Sequence, residues 1–385
     1  MTPSKPTQQA FVSRPRIPRD MTRSTDEERD LCIAFTLLPF LTPSKVRLIR
    51  ERFDPLSNIT RESTGMLSRL INVPEDEARI VKNPLQLPEM RRRVESHRGA
   101  VVTILDPHYP SLLREITDPP LALFHRGRLE HLAKPAVAVV GSRAASRYGL
   151  AAAERIAREL ASLGLTVISG LARGIDATAH RSALEAGGST IAVLGAGLDV
   201  DYPRENRRLR RSLEENGLVL SEYSPGTVPR PIHFPIRNRI ISGLSAGVVI
   251  VEATAKSGSL ITARLAAEQG REVFAIPGSI FSAGSVGPNR LIQYGAKLVH
   301  DVDDILSEIG VFLPPEMRER KPAPAPEVEE PLRPILECFR YDEAIHIDEA
   351  ASRLSLSPGA LSEKLFDLEL KQLIRAVPGG RYVRV

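Results

Sequence analysis

The rhythm of hydrophobic and polar positions changes along this chain. From about residue 26 to 97, short amphipathic stretches at 31–38, 43–53, 65–71, 74–81 and 88–96 alternate with Pro and Gly breaks. That pattern predicts a small bundle of short helices, a helical SAM-like domain. From Ala100 the apolar runs shorten to strand length and fall at 101–105, Ala136–Val140, 165–168, 190–194, 218–220, 248–251, 273–276 and 297–299. Several are apolar on both faces, as strands covered by helices on each side must be. Helical periods lie between them. Leu150, Ile156, Leu160 and Leu163 line one side of the segment 148–163, and Gly164 marks its C-terminal stop. Strand–helix alternation over 98–310 predicts an α/β fold built on an extended Rossmann-like, doubly wound and mostly parallel sheet.

The flanks read differently. Residues 1–25 are rich in Pro, Thr, Ser and Arg with little apolar periodicity, the composition of a disordered tail. Residues 311–331 contain Lys-Pro-Ala-Pro-Ala-Pro and read as a semi-rigid linker. Residues 332–385 offer three short helical stretches and a Gly-Gly-Arg-Tyr-Val-Arg-Val end, the order of a winged helix.

With 385 residues the chain has room for two or three domains. Cys32 and Cys338 stand at no metal or redox spacing, so both read as inert thiols of a cytoplasmic protein. No apolar run approaches about 18 residues and no charged-then-apolar leader opens the chain, which predicts a soluble protein with no membrane partner. The net charge of +5 and pI of 9.3 invite a nucleic-acid partner. Most of that excess belongs to the tail, where Lys5, Arg14, Arg16, Arg19 and Arg23 face Asp20 alone. Residues 135–310 hold 19 Lys/Arg against 17 Asp/Glu, so a nucleic-acid site in the core must come from where its arginines sit.

Ligands of doubly wound sheets bind outside the carboxyl ends of the strands. There the chain places Gly141-Ser142-Arg143, Ser169-Gly170-Leu171-Ala172-Arg173-Gly174-Ile175-Asp176, Gly195-Ala196-Gly197 and Glu252-Ala253-Thr254-Ala255-Lys256-Ser257-Gly258-Ser259. Four Gly/Ser loops on one edge, with Arg143 and Lys256, predict a phosphate-binding surface, because backbone N–H groups and helix N-termini favour anions. The first strand ends in a single Gly141 rather than Gly-x-Gly-x-x-Gly, and Lys256-Ser257 lacks a glycine at P-loop spacing, which argues against NAD, FAD and ATP hydrolysis. No cofactor or metal is expected. The segment from Arg230 to Arg239 adds Phe234 just ahead of Arg237, Asn238 and Arg239, at the start of a helix expected over 240–244. Arginines for phosphates and an aromatic face for a base are the minimal requirements of a single-strand site. The competing structural reading has Phe234 in the core and the arginines paired with Glu222 or Glu252.

These segments, together with Tyr202-Pro203…Asn206, Phe234-Pro235-Ile236-Arg237-Asn238-Arg239, Ser257-Gly258-Ser259-Leu260-Ile261-Thr262-Ala263, Ile276-Pro277-Gly278 and Gly295-Ala296, resemble the DprA/Smf family motifs in their family order. The resemblance covers 98–310 closely and the flanks more loosely. It implies single-stranded DNA binding, homodimerisation through the Rossmann-like domain, and loading of RecA during natural transformation, with single-strand binding protein as a further candidate partner. The DNA pocket it implies comprises Gly141, Ser142, Arg143, Ser169, Gly170, Phe234, Arg237 and Asn238, with Lys256 and Ser257, Gly258 and Ser259 along the same edge. Some relatives carry a lysine where this chain has Pro231, and Arg230 is the adjacent replacement charge.

Two rivals make contrary demands. A nucleotide phosphoribohydrolase of the lysine-decarboxylase-like family needs Pro-Gly-Gly-x-Gly-Thr followed by a glutamate. Here the loop reads Lys256-Ser257-Gly258-Ser259-Leu260-Ile261-Thr262. Asp176, expected to cap a helix, and Glu252, expected to tie Arg237 or Arg239, remain as acids, with no nucleophile–base pair beside them. A duplex-binding regulator would use the C-terminal domain. Its presumed recognition helix over 358–370 sets Lys364 against Glu363, Asp367 and Glu369, the wrong sign for a DNA groove.

Overall fold

The computed structural model describes residues 24–310, 313, 329–340, 343–371 and 373–384. The tail expected over 1–25 (except the first residues of α1 below) and most of the expected linker lie outside the described residues. Helices α1 (Ser24–Thr36), α2 (Pro43–Arg52), α3 (Thr64–Ile71), α4 (Glu75–Lys82) and α5 (Pro88–His97) open the fold. There follow β1 (Val101–Thr103), α6 (Ser111–Arg114), β2 (Ala122–Gly127), β3 (Ala136–Val140), α7 (Arg147–Ser162), β4 (Thr166–Ser169), α8 (Ile175–Glu185) and β5 (Ser189–Leu194). Next come α9 (Arg207–Asn216), β6 (Leu218–Ser221), α10 (His233–Gly243), β7 (Gly247–Ile250), α11 (Ser259–Glu268), β8 (Glu272–Ala275), α12 (Val286–Gln293), β9 (Lys297–Leu298) and α13 (Val302–Ile309).

Val137 and Val139 of β3 belong to one apolar layer with Ile156 and Leu160 of α7, Ile175 and Ala179 of α8 and Ile305 of α13. Ala138 and Val140, on the opposite face, join Ile240 and Ile241 of α10 and Ala263 and Ala266 of α11. The strand is buried on both sides because alternate residues feed different cores. The nine-stranded sheet runs β1-β2-β6-β5-β4-β3-β7-β8-β9. Every pairing from β6 to β9 is parallel. Successive strands lead outward from β3 through β4, β5 and β6, then the chain returns to β7 on the other side of β3, which makes β3/β7 the switch point. The expected fold class holds.

One strand escaped the sequence pattern. β2 pairs antiparallel with β6 through Phe124–Ser221 and with β1 through Val101–Phe124, capping the parallel sheet. Its apolar half, Ala122 to Phe124, follows Pro119-Pro120, and its second half runs from half-buried His125 to exposed Arg126 and Gly127, so alternation never develops. The core that holds Ala138 also contains Leu31, Phe35, Ile49 and Val94 of the helical bundle together with Val101 and Phe124. At the C-terminus α14 (Arg333–Cys338), β10 (Ile345–His346), α15 (Ile347–Leu354), α16 (Pro358–Leu370), β11 (Ile374–Val377) and β12 (Arg381–Arg384) form the winged helix around Leu336, Leu361, Leu365 and Leu368. Gly379 and Gly380, at φ 89° and 67°, turn the wing between β11 and β12. Among the described residues no helix is long and apolar enough to cross a membrane.

Candidate single-strand nucleic-acid interface

The loops after β3 and β4 are fastened to each other before any ligand arrives. The Ser142 carbonyl accepts from the Ile175 N–H at 3.2 Å. A Cβ on Gly174 (φ 71°) would lie 2.3 Å from that same carbonyl oxygen, so only glycine fits. Gly141 is similarly constrained, since a Cβ there would meet Ile175 Cγ1 at 2.7 Å and the Glu252 carbonyl at 2.9 Å. Leu171 sits in the left-handed region at φ 56°. The Asn206 amide donates to the carbonyls of Leu171 and Ala172 at 3.0 and 3.1 Å, and the Asp176 carboxylate accepts from Gly170 N and Ala172 N at 3.1 and 3.3 Å. Asp176 therefore secures the loop rather than capping α8. The sparsely populated backbone at Leu171 is held from both sides, the condition under which such strain persists.

Between these loops and the start of α10 lies a cavity of about 480 Å³ whose wall includes Arg143, Gly170, Tyr202, Arg204, Phe234 and Arg237. α10 begins earlier than the sequence suggests, so Phe234 and Arg237 stand on its first two turns, with Pro235 where its missing N–H costs no helical bond. The Arg143 guanidinium carbon is 5.3 Å from the Phe234 ring centroid, a cation–π distance. Tyr202 tilts at 36° against the same ring with centroids 5.5 Å apart. Behind Phe234, His233 stacks on Tyr223 with centroids 4.3 Å apart and closes on the Gly195 carbonyl through Nδ1 at 3.1 Å. Arg143 is exposed and has no carboxylate partner among the described residues.

The other arginines are differently placed. Arg237 is 5 % exposed; its Nη1 donates to the carbonyls of Gly170, at 3.0 Å, and Val193. Burial draws its pKa down to about 10, against the opposing pull of Asp176, whose own pKa burial raises. Gly170 has no room for a side chain because a Cβ would lie 2.6 Å from Arg237 Nη2. Arg239, expected at this edge, is buried and pairs with Glu222 at 2.6 Å and Asp118 at 3.6 Å, as the structural reading required. Ser169 is fully buried with its hydroxyl donating to the Val139 carbonyl at 2.7 Å, which turns it into the sheet. Neither side chain can face a ligand at this edge.

Arg143, Gly170, Phe234 and Arg237 are thus brought together, while Gly141 and Ser142 form the floor of the neighbouring loop. Asn238 accepts from Arg237 Nε at 3.3 Å and donates to the Gly258 carbonyl at 3.4 Å, joining α10 to the loop that starts α11. In that loop the hydroxyls of Ser257 and Ser259 are 2.8 Å apart, and Lys256 is exposed outside the cavity wall. Arg230 is exposed just before α10, also outside the wall. Glu252 does not tie an arginine. Its carboxylate, 2 % exposed, accepts from Ser146 N at 2.8 Å and Ser146 Oγ at 2.5 Å. Sequence reasoning named Tyr202 and Arg173 only as parts of motifs and passed over Arg204, and all three also line the cavity. A second aromatic beside a Gly-rich turn was the available signal. Among the described residues no cluster of His, Cys, Asp and Glu could hold a metal ion.

Residues 100–310 match the profile of DNA recombination-mediator protein A, and 319–380 that of the DprA winged helix domain. DNA processing protein DprA of Streptococcus pneumoniae is 53% identical over 223 residues, 58% of this chain and 79% of the relative. Protein Smf of Escherichia coli is 45% identical over 282 residues, 72% and 75% of the two chains. The X-ray structure of the S. pneumoniae protein aligns with a TM-score of 0.63 at 40% identity, over 75% of this chain and 99% of that one. DNA processing protein A of Helicobacter pylori, solved for its single-stranded DNA binding mode, aligns at a TM-score of 0.50 and 32% identity, covering 53% and 94%.

Proposed function

Because this chain belongs to the DprA/Smf family of DNA recombination mediators, we propose that it binds single-stranded DNA without strong sequence preference and promotes RecA loading during DNA uptake. The observation that carries this reading is the cavity at the sheet edge, where exposed Arg143 lies over Phe234 beside Tyr202. Two aromatic rings offer bases a sequence-tolerant face, and an unpaired guanidinium offers the backbone a counter-charge. Arg143, Gly170, Phe234, Arg237 and Tyr202 form the contact set, with Lys256, Arg230 and the Ser257–Ser259 turn at its margins. Arg239 and Ser169 are left out because the Ser169 hydroxyl is bonded within the sheet and the buried Arg239 guanidinium faces Glu222 and Asp118. The role is one of binding and not catalysis, since Glu252, the acid a hydrolase would need at this edge, is buried on Ser146.

The protein acts in the cytoplasm, with RecA and single-strand binding protein as partners, and as a homodimer. The outer edge of β9, unpaired among the described residues, suits self-association, with Leu298 43% and Tyr294 85% exposed beside it. The deciding experiment compares short poly-dT with matched duplex for the wild type and Arg143→Ala, with RecA filament formation as second readout. Preferential binding of the single strand, lost in the variant along with filament stimulation, is the expected result. Equal affinity for duplex, or an Arg143→Ala protein indistinguishable from wild type, overturns the reading.

A further inference from the structure

The loop after β8 emerges on the same sheet edge as the cavity and is fixed at both ends. The Asn289 side chain accepts from Gly278 N at 3.2 Å and donates to the Gly278 carbonyl at 3.0 Å. Further on, Ala253 N donates to the Gly284 carbonyl at 2.7 Å, and Gly287 N to the Ala253 carbonyl at 2.8 Å. Tyr148, in the first turn of α7, donates its hydroxyl to the Pro277 carbonyl at 2.6 Å. The loops after β3, β7 and β8 are thereby joined. At the tip, Ser279 accepts from Phe281 N through its hydroxyl at 3.2 Å and from Ser282 N through its carbonyl at 3.0 Å. This closed turn presents Ile280 and Phe281 to solvent, 82% and 93% exposed. An aromatic ring held in water at the tip of a braced loop has no role in packing the fold.

We propose that Phe281 is a second stacking platform for the nucleic-acid strand, which runs from the cavity along the sheet edge. This rests on the single-strand reading given above. β8 lies three strands from β4 in the sheet, so the two stations are separated by roughly 15 Å at about 4.8 Å per strand, a span of a few nucleotides. Arg143 and Lys256 on the intervening loops and Arg147 at the start of α7 are all exposed and without a carboxylate partner among the described residues. Cations between two aromatic stations are what a strand tracked by backbone charge and base stacking requires. A second protein copy would gain little from that row of like charges, which favours the nucleic acid as occupant.

The chain contains no tryptophan, so Phe281→Trp installs a lone reporter. Titration with oligo-dT of about twenty nucleotides quenches that tryptophan if bases stack on it, and Phe281→Ala weakens binding of the same oligonucleotide about tenfold. An oligonucleotide of about four nucleotides, long enough for the cavity alone, binds the Phe281→Ala protein as it binds the wild type. If long oligo-dT binds in an Arg143-dependent manner but leaves the fluorescence of the introduced tryptophan and the Phe281→Ala affinity unchanged, the second platform is refuted and the cavity reading survives. If Phe281→Ala instead changes only the sedimentation of the free protein, the tip is a contact between copies and the proposal fails. Absence of any Arg143-dependent binding removes both.

Discussion

Arg143 and Phe234 come from separate segments of the sheet domain, one from the loop after β3 and one from the first turn of α10, yet the guanidinium lies 5.3 Å from the ring centroid. The contact places a cation with no carboxylate partner among the described residues where a base would stack. Replacing Arg143 by Ala should weaken single-strand binding by about 1.5 kcal/mol and reduce the slope of log affinity against log salt by about one, irrespective of sequence. Arg143→Lys should keep the slope and lose part of the affinity, because an ammonium cannot lie flat on an aromatic face. Fluorescence anisotropy across a salt series separates the two effects.

Arg237 and Arg239 should behave unlike Arg143. Removing Arg237 leaves the buried Asp176 carboxylate without the cation that opposes its desolvation, at a cost of about 3–5 kcal/mol. Removing Arg239 leaves the half-buried Glu222 and Asp118 carboxylates unpaired, at a cost of about 1–3 kcal/mol. Arg237→Met should lower both stability and affinity, since its guanidinium lines the cavity. Arg239→Met should lower the denaturation midpoint while the folded fraction binds oligo-dT with normal affinity and an unaltered salt slope.

His180 is fully buried, with Nδ1 2.7 Å from Thr190 Oγ1 and Nε2 without a partner among the described residues. Thr190 donates its own proton to the Val167 carbonyl at 2.8 Å, so Nδ1 is the donor and Nε2 the bare nitrogen. Burial lowers its pKa from 6.5 to about 3, reinforced by nearby Arg237. Between these values the unfolded chain binds the proton that the folded one refuses. Its contribution is therefore complete above pH 6.5 and declines as pH falls toward 3, by up to about 1.4 kcal/mol per pH unit. In urea unfolding, the stability difference between wild type and His180→Asn should shift against the wild type across this window. A pH-independent difference would contradict the assignment.

Glu252→Ala leaves Ser146 N–H and hydroxyl without their acceptor at the start of α7, which should cost about 2 kcal/mol. Gly149→Ala should be comparably harmful because its Cβ would lie 2.4 Å from the Glu252 carboxylate. Incubation of wild type or Glu252→Ala with nucleoside monophosphates should release no free base. Liberation of base by the wild type alone would instead make Glu252 catalytic.

Much of this architecture could be read from residue order. Runs such as Ala136–Val140, apolar on both faces, are strands because parallel sheets need that composition, and the Gly-rich segments after them do meet at one edge. The purpose of individual glycines was less visible. Gly170 and Gly174 make space for Arg237 and for the Ser142 carbonyl rather than directly for a ligand, a distinction set by tertiary closeness. Nor can spacing reveal that adjacent motif arginines diverge: one helical step sends Arg237 toward Val193 and two residues later Arg239 toward Glu222. Tyr202 joins Phe234 only because the loop after β5 folds back over α10.

The helical bundle and the sheet share one apolar core, in which Leu31, Phe35 and Val94 pack together with Val101, Phe124 and Leu218. His97 sets its ring edge-on to Phe124 at 5.4 Å across the same junction. The boundary near residue 98 is therefore a change of architecture without being a place to cut. A fragment starting there would bare β1 and β2 to water and aggregate, so shortening this protein to its binding half calls for a rebuilt surface as well as a deletion.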